Sequence, residues 1–198
     1  MIARARTYAV LAVVAGGALA IIASTQTWLD VTLRTGSDEP LTVAGAVAVP
    51  LLAPLSLAAL ALGLALTVVG IALRYVFGVL AVAIGATLAV TSARVGLQHP
   101  LDAVATAVTK ATGLSGDAAI ADLVTAVTGT PWPFLASAAG LLIAAGGVLT
   151  LASAHRWRAG GRRYQRDAAH AVEATGSRPH DAIDSWDDLT HGADPTAR

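Results

Sequence analysis

The sequence predicts an all-α integral membrane protein with four transmembrane helices, a small extracytoplasmic β-hairpin and a second outer loop of short helices. Three observations carry that expectation. Residues 41–93 form an apolar run in which Arg74 is the single charge. At 1.5 Å of rise per helical residue, about 20 residues cross a bilayer core, so this run is long enough to cross twice. Two further apolar segments, 8–23 and 134–154, flank it. The composition agrees: 55% of residues are hydrophobic and only 13% charged, where a soluble domain carries about 25% charge.

Charge sets the expected topology. Arg4, Arg6, Arg74, Arg156, Arg158, Arg162, Arg163 and Arg166 lie at the two ends of the membrane domain or at its central turn. The other two connections hold Asp30, Asp38, Glu39, Asp102, Asp117 and Asp122 against Arg34, Arg94 and Lys110. Lys and Arg in short membrane-flanking segments mark the cytoplasmic side. Both termini are therefore expected inside a plasma membrane, with residues 29–48 and 95–132 outside. The membrane domain is expected over 1–166, with spans at about 8–27, 49–72, 75–94 and 134–154, and a disordered cytoplasmic tail over 167–198.

The first segment is short, basic and then apolar, a profile shared with a signal peptide cleaved near Ala23. Removing it would place the Arg-rich end of the last span on the wrong side, so it is read as helix one. Trp28 falls where that helix leaves the hydrocarbon, as an interfacial ring anchor or a ligand-stacking surface. Leu29, Val31 and Leu33 alternate with Asp30, Thr32 and Arg34; Leu41 and Val43 resume the alternation after a Gly-Ser-Asp turn, which predicts a hairpin. The second helix is expected to open near Val49, with Pro50 and Pro54 in its first turns.

Ala59, Gly63 and Thr67, and later Ala81, Gly85 and Ala89, recur every fourth residue. Small residues so spaced let helices approach closely in lipid. Arg94 is expected to close helix three beside its C-terminal dipole. In the second outer loop, Leu101, Val104, Ala105 and Val108 fit one helical face, and Ile120, Leu123, Val124 and Val127 fit another, with Ser115 as N-cap. Two short amphipathic helices lying as a lid over the bundle follow from that pattern. Pro131-Trp132-Pro133 leads into the last span.

Chemistry is sparse. The chain has no cysteine, and its five histidines are scattered without metal-ligand spacing. The spans carry hydroxyls (Ser56, Thr67, Thr87, Thr91, Ser137, Thr150) that can bond back to their own helices, and no charge between the flanks. No phosphate loop or nucleophile elbow appears. No enzyme activity, cofactor, metal or nucleic-acid partner is expected. In the tail, Ile183, Trp186 and Leu189 fall three apart among Asp184, Asp187 and Asp188, a motif suited to anchoring a cytoplasmic protein partner.

Three stretches carry a family resemblance. Ala23-Ser24-Thr25-Gln26-Thr27-Trp28, Pro40-Leu41-Thr42-Val43 before the proline-marked second helix, and the ending Ser185-Trp186-Asp187-Asp188-Leu189 with Gly192-Ala193-Asp194-Pro195-Thr196 resemble the actinobacterial tryptophan-operon-associated membrane proteins. The resemblance implies a four-span protein linked to tryptophan biosynthesis, with no catalytic residues to carry over. Two functions compete on that footing. One is a non-enzymatic accessory or scaffold protein in the lipid bilayer. The other is a carrier or exporter of an apolar or indole-type small molecule, with Gln26 and Trp28 lining its site.

Overall fold

The computed structural model describes residues 2–34 and 39–156. Its elements run α1 (Ile2–Thr25), β1 (Thr27–Leu33), β2 (Leu41–Ala44), α2 (Gly45–Ala48), α3 (Leu52–Ala65), α4 (Ile71–Gln98), α5 (Leu101–Thr112), α6 (Asp117–Leu123), β3 (Val124–Gly129) and α7 (Trp132–Ser153). A single 3₁₀ turn, Ala154–Arg156, follows. The tail motif of Ile183, Trp186, Asp187, Asp188 and Leu189 lies outside the described residues.

Among the described residues, three helices are long and apolar enough to cross a membrane: Ala5–Thr25 within α1, Ile71–Gln98 and Trp132–Ser153. The expected fourth, over 49–72, is interrupted. Val49 is extended (φ −132°, ψ 90°), as the residue before a proline is forced to be, and the chain turns before α3 begins at Leu52. At its other end α3 stops at Ala65, short of the β-branched run Thr67-Val68-Val69. Its 14 residues span ~21 Å. The next helix is longer than the expected 75–94. It starts after Gly70 and runs to Gln98, where His99 takes a left-handed conformation (φ 44°) ahead of Pro100. Arg74 therefore sits inside the first turn of α4, not in a connection. Arg94 does not end the helix; it pairs with Asp102 at 3.2 Å.

The long helices are apolar all round, so hydrophobicity does not select their packing faces. Residue size does. On α4 the buried stripe Gly78, Ala81, Gly85, Leu88, Ser92 and Val95 alternates steps of three and four, while Val76, Val79, Leu80 and Val90 face outward. The stripe is mostly small residues, as expected where lipid removes the hydrophobic drive and dispersion decides contact. The helices form a row, α3 on α1, α1 on α7, and α7 on α4.

Facing glycines bring the backbones together. A Cβ on Gly140 would meet the Ala89 nitrogen at 2.5 Å, and one on Gly85 would meet the Gly140 carbonyl oxygen at 2.5 Å. On the other side of α7, a Cβ on Gly146 would lie 2.9 Å from the Ala9 carbonyl. The hydroxyls of Ser56, Thr91 and Thr150 bond to carbonyls four residues earlier in their own helices. Ser137 does otherwise and donates across the seam to the Ala89 carbonyl at 3.0 Å.

The antiparallel helix contacts define two ends. Arg6 donates from Nη2 to the Thr67 carbonyl, and Gly78 packs against Leu151, so the start of α1, the end of α3, the start of α4 and the end of α7 share one end. A cap covers the opposite end.

That cap contains a three-stranded sheet in the order β2-β1-β3. β1 pairs antiparallel with both neighbours, Asp30 opposite Thr42 on one side and Thr128 on the other. Leu29, Val31 and Val43 enter a core with Val104 and Val108 of α5 and Ile120 of α6. The expected hairpin is thus two-thirds of the sheet. The second amphipathic helix of the outer loop is only Asp117–Leu123; Val124 and Val127 belong to β3. Pairing of β3 with β1 outweighs a local pattern that suits either structure. Gly116, with φ 108°, occupies the N-cap position expected for Ser115, without a side-chain cap bond.

Enlarging the seam residue should be costly where enlarging an open turn is not. Gly140→Leu is expected to lower stability by more than about 2 kcal/mol through overpacking. Gly70→Ala meets nothing within 4 Å and should change it by less than about 0.5 kcal/mol. Thermal unfolding in detergent micelles compares the two.

Candidate functional site

Gln26 and Trp28 lie where four pieces of chain meet: the end of α1, the start of β1, the start of α2, and the link from β3 to α7. A helix leaves its last carbonyls without intrahelical donors, and beside hydrocarbon no water is at hand to replace them. Here the sequence supplies the donors locally. Ser24 Oγ donates to the Ile21 carbonyl at 2.7 Å, and Thr25 Oγ1 to the Ile22 carbonyl at 2.9 Å. The Ala23 carbonyl accepts the Gln26 backbone N–H at 3.2 Å and the Trp28 indole Nε1–H at 2.8 Å. The Ser-Thr-Gln-Thr-Trp element closes the end of α1.

The same residues tie in the other segments. The Gln26 carbonyl accepts the Gly45 N–H at 3.0 Å, which fixes the start of α2. The Trp28 carbonyl accepts the Thr130 N–H at 2.9 Å, and Thr130 Oγ1 donates to the Thr27 carbonyl at 2.7 Å. These bonds set the path of the chain into α7. Thr130 was not among the residues singled out by sequence; its place after the strand, one residue ahead of Pro131, is the signal that was available.

Trp28 does not sit at a lipid interface. Its side chain is fully buried, and the expected interfacial anchor is instead the plug of this junction. Gly45 makes that possible, because a Cβ there would approach the indole Nε1 to 2.5 Å and the Ala23 carbonyl to 2.9 Å. With both sides of its polar edge occupied by protein, the ring has no open face for a ligand to stack on. Gln26 is half-buried, and its Nε2 donates to Thr25 Oγ1 at 3.2 Å.

Beyond the junction, the cap is held by exposed ion pairs, Arg34 to Asp122 at 3.3 Å and Arg94 to Asp102 at 3.2 Å. Exposed pairs of this kind contribute about 0–1 kcal/mol each, so they set register more than stability. Among the described residues, no His, Asp and Glu side chains gather into a metal-binding group.

The model of the tryptophan-associated transmembrane protein family matches residues 10–196, and the chain belongs to that family. No curated protein and no solved structure matches it. The Ala23–Trp28 stretch and the segment leading to Gly45 both fall within the matched residues, and the bonds above give them a shared structural purpose.

Two substitutions separate the hydrogen bond from the fit. Trp28→Phe keeps most of the ring but removes the indole N–H, and is expected to cost about 1–3 kcal/mol. Gly45→Ala keeps every donor and is expected to destabilise by at least as much, since the ring and the Ala23 carbonyl both obstruct the methyl. Denaturant titration in micelles reads both.

Proposed function

We propose that this tryptophan-associated transmembrane protein is a non-enzymatic accessory or scaffold protein that crosses the plasma membrane four times, with both termini in the cytoplasm. The contact between Arg6 and the Thr67 carbonyl is the observation that supports this topology. It holds the end of α3 beside Arg6 near the start of α1, which supports a fourth crossing by the short helix together with its flanking turns, residues 49–69. An even number of crossings puts Arg6, Arg74 and the arginines after residue 155 on one side, as the positive-inside rule requires. Asp30, Asp102, Asp117 and Asp122 then fall on the outside with the cap.

The accessory reading rests on how the chain uses its polar groups. Span hydroxyls bond to helix carbonyls, the cap core is filled by its own aliphatic side chains, and the Gln26–Trp28 element closes a helix end. Transport pathways normally show ionisable groups lining a route through the bilayer. The carrier alternative, an apolar or indole-type cargo held by Gln26 and Trp28, is disfavoured by the buried indole. The acidic tail motif around Trp186 is then the surface for a cytoplasmic partner.

Because the chain lacks cysteine, single-cysteine variants report sidedness cleanly. In intact cells a membrane-impermeant maleimide should label Ser115→Cys and leave Gly70→Cys unlabelled until the membrane is opened. External labelling of Gly70→Cys would show that α3 does not cross. For function, deletion of the gene should leave tryptophan and indole retention unchanged. A retention defect that the wild type restores and Gln26→Ala does not would establish the carrier instead.

A further inference from the structure

We propose that the free edge of β3 pairs antiparallel with β3 of a second copy of this chain, joining two cap sheets into one. Among the described residues β3 is the last strand of the sheet, and Thr125, Ala126, Thr128 and Gly129 are exposed. Hydrogen-bonding groups alternate in direction along an antiparallel strand. Thr130 donates its N–H to the Trp28 carbonyl, Thr128 lies opposite Asp30 and Ala126 opposite Thr32, so these three residues serve β1. Val127 and Gly129 therefore turn their N–H and C=O groups to the open side. The end of the strand is already fixed. Thr130 Oγ1 donates to the Thr27 carbonyl at 2.7 Å, and His99 packs so closely on Gly129 that a Cβ there would collide with the imidazole. A partner would meet an ordered edge, without the cost of ordering a loose one.

Sheet edges are normally blunted by short strands, proline, charge, bulges or a covering element, because a bare edge templates pairing. The other edge follows that rule: β2 has four residues, starts directly after Pro40, and packs beside α2 and α5. β3 shifts register only near its start, opposite Thr32 and Leu33, and is regular from Ala126 to Gly129. Its sequence is Val-Thr-Ala-Val-Thr-Gly, and no Asp, Glu, Lys or Arg occurs over residues 123–154. That neutrality points to a second copy. Self-pairing sets like residues close to one another, which a charged strand resists, and a two-fold pair is the commonest closed arrangement of identical chains. With Thr128 on the two-fold, Val127 of each copy exchanges both backbone bonds with Gly129 of the other. The two Thr128 side chains then form a favourable cross-strand pair. The two Asp30 carboxylates, next to Thr128 on β1, end three strand spacings apart. That is ~14 Å, beyond the ~8 Å screening length.

The test uses the full chain, which has no cysteine of its own. In isolated membranes with an added oxidant, Thr128→Cys should form a covalent dimer. Residues directly opposed in a non-hydrogen-bonded pair lie about 4.5 Å apart at Cα, within disulfide reach. Thr42→Cys, exposed on the β2 edge, should not bridge. In mild detergent, native mass spectrometry of the wild type should show a dimer. Val127→Pro removes a donor from the open side and leaves the bonds to β1, and should raise the dissociation constant at least about tenfold. Thermal unfolding checks that this variant is folded; if it is not, the two cysteine variants decide alone. A wild type that stays monomeric at every concentration overturns the second copy. So does bridging by Thr42→Cys with none by Thr128→Cys, or a folded Val127→Pro that dimerises as the wild type does. Thr128→Cys that joins a different protein instead overturns it as well, and would give the edge to a foreign extended segment.

Discussion

A helix in lipid gains nothing by hiding apolar side chains, because the surrounding hydrocarbon is as apolar as they are. Close backbone approach has to supply the attraction. In this chain that approach is concentrated on α7, which presents Gly140 and Gly147 to α4 and Gly146 and Ala139 to α1. Leu141, Leu142 and Val148 are left facing outward. A helix with small residues on two sides can be flanked by two neighbours, and the row α3-α1-α7-α4 follows. The cross-seam bond from Ser137 to the Ala89 carbonyl strengthens the same contact, since a hydrogen bond made in a dry seam loses little to competing water.

The second constraint concerns helix ends. Every carbonyl released at the end of a span must find a donor, and this chain uses arginine at one end and Ser24, Thr25 and Trp28 at the other. The cap is built outward from that second closure. Trp28 fixes the first strand, Gly45 admits the ring and starts α2, and Thr130 brings the chain back for α7. In this chain the Gln-Thr-Trp element thus serves the architecture of the cap.

Much of this was legible in the sequence, and the remainder was not for identifiable reasons. Long apolar runs revealed α1, α4 and α7, and alternation revealed β1 and β2. The small-residue spacing on α4 marked a face for close packing without naming its partner, and Gly85 and Ala89 of that face meet Gly140 of α7. Ile120, Leu123, Val124 and Val127 satisfied a helical repeat, but β1, whose Leu33 and Val31 pair with Val124 and Val127, claims the last two. No local pattern records such a pairing. Pro50 holds Val49 extended, so α3 begins only at Leu52. The role of Trp28 was hidden because its burial depends on a glycine 17 positions away, and an aromatic residue at a span end looks the same whether it faces lipid or protein.

The central claim is that α7 lies between α1 and α4 along glycine-lined seams. Pairwise cross-linking in native membranes tests it most directly, on a background with no cysteine. Paired cysteines at Ala89 and Ser137 should oxidise readily to a disulfide, because Ser137 Oγ already reaches the Ala89 carbonyl across the α4–α7 seam at 3.0 Å. A pair on outward residues, Val79 and Val148, should not cross-link. Rapid bridging of Val79 to Val148 with none between Ala89 and Ser137 would contradict the arrangement.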